Sequence, residues 1–196
     1  MCSAAFLASL TGGCVTVENS LRKEDVASFR LTGVAVRYKP DADVRWEDAV
    51  RAYAVSKGVP DHELAEASNS PEAKAHAQTF LAGRIKTALE RNLSPKLAGT
   101  RPVRLEIVVR SFAIASAVQR IVIGGSHVMV ADAVLVDART NAQLVSYPDL
   151  TVAVAAGQGI VGTAVQAAID AAQELQPADR VLNTYSETYS AWLLRA

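Results

Sequence analysis

A chain of 196 residues, half of them hydrophobic, can close one sizeable core but is short for two independent ones. Twenty basic side chains stand against twenty acidic ones, so the long-range positive field from which nucleic-acid binders draw counterion-release energy is missing; nonspecific DNA or RNA binding is disfavoured and no nucleic-acid partner is expected. Aromatic residues make up only 6% and the apolar count rests on Ala, Val and Leu, which predicts thin, closely packed core layers.

The two cysteines, Cys2 and Cys14, both lie near the start, so an internal disulfide or a cysteine-based metal site is excluded from the rest of the chain. Residues 1–14 read as an apolar run closed by small residues immediately before Cys14, the look of a signal-peptide core and cleavage site. Leu10-Thr11-Gly12-Gly13-Cys14 resembles a bacterial lipobox, with the leucine one place further from the cysteine than usual. That resemblance implies cleavage before Cys14 and acylation of its thiol. No Lys or Arg precedes the apolar run, whereas an export signal ordinarily opens with positive charge, and a start codon further upstream is expected. At about 13 residues the run is shorter than the roughly 20 needed to span a bilayer, which favours an anchored over a spanning protein. Residues 15–27, polar from Glu18 to Asp25, are expected to act as a tether, and 28–196 to form one α+β domain.

Ser28 to Tyr38 sets Phe29, Leu31, Gly33 and Ala35 against Arg30, Thr32, Val34 and Val36 and predicts a first strand, broken by Lys39-Pro40-Asp41. Trp46 to Lys57 carries apolar residues at helical spacing and ends at Gly58. Ser70-Pro71-Glu72 is a helix start, with a capping serine, a proline suited to the first turn and an acid at the positive end of the dipole. From there Ala77, Leu81, Ile85, Ala88, Leu89 and Leu93 form one apolar stripe. Val103 to Ala117, His127 to Asp137 and Gln143 to Ala155 read as three strands of an antiparallel meander, with a turn at Ala138-Arg139-Thr140-Asn141. Pro148 places the last of them at an edge or a bulge. Ile160 to Glu174 is Ala-rich and helical, and Pro177 opens a final helix with Val181, Leu182, Tyr185, Tyr189, Trp192 and Leu193 on one face. The order predicts a mostly antiparallel sheet of about four strands with helices on one face.

Gly157-Gln158-Gly159-Ile160-Val161-Gly162 is a literal dinucleotide fingerprint, but no second strand ending in an acid follows, so Gly157, Gly159 and Gly162 read as a turning loop. His62-Glu63 lacks a second histidine four residues on, and His76 lies on the polar side of its helix. His127 opens a strand after Gly124-Gly125-Ser126 and is expected to make a turn-region hydrogen bond, with catalysis or metal binding as the sharper reading. Asp132 shares a face with Val128, Val130, Val134 and Val136 and must find donors, for which Arg104, Arg110 and Arg120 are placed. No Gly-x-Ser-x-Gly elbow occurs, and no enzyme, cofactor or metal is expected.

The run Gly99 to Ile107, then Arg110-Ser111-Phe112, Gly124 to His127 and Val136 to Thr140 resembles a family of uncharacterised alphaproteobacterial envelope lipoproteins. A strand ending in Asp-Ala-Arg-Thr before a hairpin is also similar to domains of lipoproteins that assemble secretion or polysaccharide-export channels, some of which form rings. These resemblances imply a periplasmic, lipid-anchored protein of no assigned activity and supply no site; the anchor, the absent catalytic set and the neutral charge lead to the expectation that it works on envelope proteins or on copies of itself through the Gly124–His127 loop and an exposed sheet edge. A carrier binding a lipid, glycan or nucleotide between sheet and helices is the alternative.

Overall fold

In the computed structural model, which describes residues 17–67, 69–116, 119, 122, 125–156, 164 and 176–195, the period-two segments become four strands of one sheet. These are β1 (Phe29–Arg45), β2 (Arg101–Ala113), β3 (Ser126–Asp137) and β4 (Gln143–Ala155), side by side in that order. The helices are α1 (Lys23–Ser28), α2 (Glu47–Ser56), α3 (Leu64–Ala67), α4 (Pro71–Leu93) and α5 (Pro177–Leu193). β1 runs parallel to β2, while β2–β3 and β3–β4 are antiparallel, so the α+β sheet is mixed and mostly antiparallel. The parallel pair is possible because α4, whose 23 residues rise about 34 Å, carries the chain back to the end from which β1 set out.

Two expectations for β1 are corrected. Pairing slips by one residue at Thr32, so Phe29, Leu31, Val34, Val36 and Tyr38 face the helices, and the simple alternation Phe29-Leu31-Gly33-Ala35 ends at the bulge. The strand also outlasts Lys39-Pro40-Asp41, because Pro40 falls in the irregular stretch between Tyr38 and Asp43, on an edge strand where no ladder donor is lost. β2 begins and ends earlier than read, at Arg101 and Ala113. Pro148 is both at an edge and in a bulge, since β4 closes the sheet and its register shifts between Tyr147 and Leu150.

The Ser70 hydroxyl accepts the Ala73 N–H at 3.1 Å, as a cap should, and the stripe from Ala77 to Leu93 is buried. Ser70→Ala is expected to lower stability by about 1 kcal/mol, seen as a lower urea midpoint at unchanged slope. α4 and α5 lie side by side and parallel, tied by an Arg84–Asp179 ion pair, by Asn92 to Ser186 at 3.3 Å and by Lys96 to Ser190 at 3.0 Å. Their inner faces meet the sheet in one core in which Phe29, Leu81, Ile85, Leu105, Ile107, Met129, Tyr185 and Tyr189 are all buried. Strand and helix directions give the domain two ends. One holds the starts of β1, β2 and β4 with the C-termini of α4 and α5; the other holds α2, α3 and the beginnings of β3, α4 and α5. The segment expected to be helical from Ile160 to Glu174 lies, apart from residue 164, outside the described residues.

Candidate functional site

Helices cover one face of the sheet, and the outward row of β3 on the other face reads Val128, Val130, Asp132, Val134, Val136. A solvated antiparallel face ordinarily alternates to polar residues. Four valines in the row depart from that rule, and Val128, Val130 and Val134 are each half-buried. Val108 of β2 stands directly opposite Asp132, within the same face.

Asp132 is the centre of this face. Its carboxylate receives Arg110 Nε at 3.0 Å and Nη2 at 3.1 Å, and the backbone N–H of Asp149 at 2.9 Å. Arg110 Nε also lies 2.9 Å from the Asp149 carboxylate. Arg110 is the residue at which β2 slips against β3, and Asp149, with φ of 51°, sits in the bulge of β4. One side chain therefore joins bulges in both neighbouring strands. Burial alone would push its carboxyl up, but the Asp149 N–H and the Arg110 guanidinium outweigh it and hold Asp132 below the usual carboxylate range. Of the three arginines placed by sequence, Arg110 is the partner; Arg104 instead meets Glu106 at 2.6 Å and Asn141 at 3.0 Å, and Arg120 lies outside the described residues. The Arg104 hydrogen bond, joined by the Arg37 charge, lowers the Glu106 carboxyl despite its partial burial.

His127 faces the opposite side, only 1% exposed, and its Nδ1 accepts the Ala115 N–H at 3.1 Å. Successive strand residues alternate faces, so His127 and Asp132 lie on opposite sides of the sheet and do not form one site. An ideal Cβ on Gly125 would stand 3.4 Å from the Ala115 Cβ, an ordinary packing distance. Gly124, Gly157, Gly159, Gly162 and Cys14 lie outside the described residues. Among the described residues no three metal-ligating side chains gather, and no helix is long and apolar enough to cross a membrane.

Three features were not anticipated from sequence. The chain from Val17 packs against the end of α5: Asn19 Nδ2 donates to the Trp192 and Leu193 carbonyls at 3.0 Å each, and Trp192 Nε1 donates to the Val17 carbonyl at 2.8 Å. A groove of about 630 Å³ runs outside α4 and α5 past Phe80, Arg84, Arg91, Asp179 and Asn183, with Arg84 over the Phe80 ring at 5.8 Å. A hollow of about 730 Å³ opens at the α2 end beside Trp46, Lys74, Ser111 and Gln119. Between sheet and helices, where a ligand was the alternative expectation, the described residues form the packed core.

A one-sided mixed sheet with its helices on the inner face defines an α+β domain. No family model and no functionally described protein matches the chain. Among solved structures it is similar to a candidate lipoprotein of Caulobacter crescentus at 16% identity and a TM-score of 0.39, over 59% of this chain and 81% of that one. A Xanthomonas campestris protein of the family DUF330 is similar at 18% identity and a TM-score of 0.45, over 87% and 86%. The lipoprotein GNA1162 of Neisseria meningitidis is similar at 18% identity and a TM-score of 0.27, over 76% and 99%. These likenesses are too loose to transfer a role, and their three sources do not support a restriction to alphaproteobacteria.

Proposed function

We propose that the chain is a non-catalytic lipoprotein of the cell envelope, anchored on the periplasmic side through acylated Cys14 and acting through protein contacts, self-association included. The carrying observation is the valine row on the face of the sheet that none of the described helices covers, an apolar strip of the kind that marks interaction surfaces. β4 adds an outer edge that pairs with no strand among the described residues. The Gly124–His127 loop lies near Val122, which is 72% exposed. Light scattering on protein solubilised from native membranes, with crosslinking before extraction, tests the reading. An assembly larger than one chain, or a crosslinked envelope partner, is expected, and Val130→Asp should abolish it; a strict monomer without partners overturns the reading. Cys14→Ser is expected to reduce the membrane-bound fraction roughly tenfold or more, since the lipid is what holds the protein there, as read by fractionation.

A carrier of an anionic amphiphile is the second reading, favoured by the α4–α5 groove with its aromatic and guanidinium lining. Native mass spectrometry of the membrane-extracted protein separates the two, because a carrier retains a small molecule.

A further inference from the structure

We propose that the domain stands on the end formed by the α5 C-terminus, laying the basic side chains of that end against the anionic headgroups of the membrane that holds Cys14. This rests on the anchoring reading above. Cys14 precedes Val17 by three residues, a reach of about 10 Å at full extension, and the Val17 carbonyl is fixed to the Trp192 indole. With Asn19 closing the last carbonyls of α5 as well, little slack separates the thiol from the folded domain. An acylated Cys14 at headgroup level therefore brings this end, and no other, to the bilayer surface.

The charge of the chain, neutral in total, divides along the same axis. At the α5 C-terminal end, Arg22 pairs with Asp25 and Arg101 with Asp137, and the exposed Lys23, Arg30, Lys96, Arg139 and Arg195 then outnumber Glu18 and Glu24. At the α2 end Arg45 pairs with Asp43, and Asp41, Glu47, Asp48, Glu63, Glu66 and Glu72 then outnumber Lys39, Arg51, Lys57 and Lys74. Such a dipole is attracted to anionic lipid with its basic end inward, over the Debye length that the short leash respects. Leu194, 39% exposed beside Arg195, gives the same end an apolar contact for the interface.

The two tryptophans mark the two heights. Trp46 stacks on Phe80, Trp192 lies two residues beyond Ser190, which Lys96 meets just past the end of α4, and the turns of α4 from Phe80 to Leu93 rise about 20 Å. The acylated full chain is reconstituted into phosphatidylcholine vesicles containing phosphatidylglycerol and a dansyl-headgroup lipid. Energy transfer is expected to be several-fold greater from Trp192, in W46F, than from Trp46, in W192F. If W192F fails to fold, the difference between W46F and the parent protein supplies the same ratio. The triple variant K23E/R139E/R195E is expected to lose this excess in anionic vesicles. Equal transfer from both tryptophans, or no response to charge reversal, with Cys14 shown by mass spectrometry to carry lipid, overturns this orientation and leaves the anchor standing. An unacylated Cys14 overturns both.

Discussion

Gly99→Ala is expected to cost about 3 kcal/mol or more, the largest effect of a methyl group added at any of the described glycines. A Cβ at Gly99 would stand 2.3 Å from the Ser28 carbonyl oxygen, 2.4 Å from its carbon and 2.7 Å from the Ala27 oxygen. All three are backbone atoms, so no side chain can rotate away to make room. The close approach exists because Gly99 N–H donates to Phe29 at 2.7 Å and Thr100 N–H to Ser28 at 2.9 Å, which seats the entry to β2 on the junction of α1 and β1. Relief would break these bonds and the first rung of the β1–β2 ladder, Phe29 with Arg101, and would unseat the fully buried Phe29 ring. Gly83 in α4 is the internal contrast, since an ideal Cβ there meets nothing within 4 Å. Gly83→Ala is expected to raise stability by about 0.5 to 1 kcal/mol through helix propensity. Urea midpoints of the two variants, moving in opposite directions, check both values; an unmoved midpoint for Gly99→Ala would show that the α1–β1 junction yields at little cost.

The contrast also shows which layers of the fold were readable. Gly99 looks like punctuation between a helix and a strand, and nothing local says that the carbonyls of α1, some seventy residues earlier, will press on it. The apolar periodicities of α4, β2, β3 and α5 were legible because burial of one face depends only on spacing within the element. The direction of the β1–β2 pair was not, since a two-residue period is the same for parallel and antiparallel neighbours. In β1 a trace of the bulge was present: Val34 and Val36 continue the apolar series of Phe29 and Leu31 only if one residue is skipped, and Thr32 is the skipped one. Asn19 sat in a polar stretch that reads as a tether, yet its carboxamide meets the last carbonyls of α5, a pairing that no short-range pattern encodes.

Asp132 was singled out by a sequence rule, a carboxylate in a row of valines, and the rule also predicts its behaviour with pH. Asp132→Asn is expected to cost about 2 kcal/mol at pH 7 and Asp132→Ala somewhat more, because each takes the bidentate acceptor from Arg110, which keeps only the exposed Asp149 carboxylate, and leaves the Asp149 N–H without a charged acceptor. The lower value is appropriate because Arg110 remains partly in water, which screens the pair. The folded carboxyl is depressed relative to its unfolded value of about 3.9, so its contribution is complete above that value and disappears as pH falls through the lower folded pKa. Wild type and Asp132→Asn should therefore differ by a constant amount between pH 7 and pH 5 and converge below about pH 4. A difference that persists undiminished well below pH 3 would mean that the charge of Asp132 is not what joins the strands. The same variants bear on the contact face. Asp132 stabilises the bulges at Arg110 and Asp149, and the second of these, with Pro148, interrupts the outer edge of β4 and splits its regular pairing into Val145 to Tyr147 and Leu150 to Ala155. Releasing that bulge lengthens an unpaired edge beside a row of valines, a template for indiscriminate strand addition. Asp132→Asn is accordingly expected to scatter more light at pH 7 than wild type at equal stability, matched by adding urea to the latter. That excess scatter would mean that Asp132, the clamp between the two bulges, also limits which strands can join this sheet.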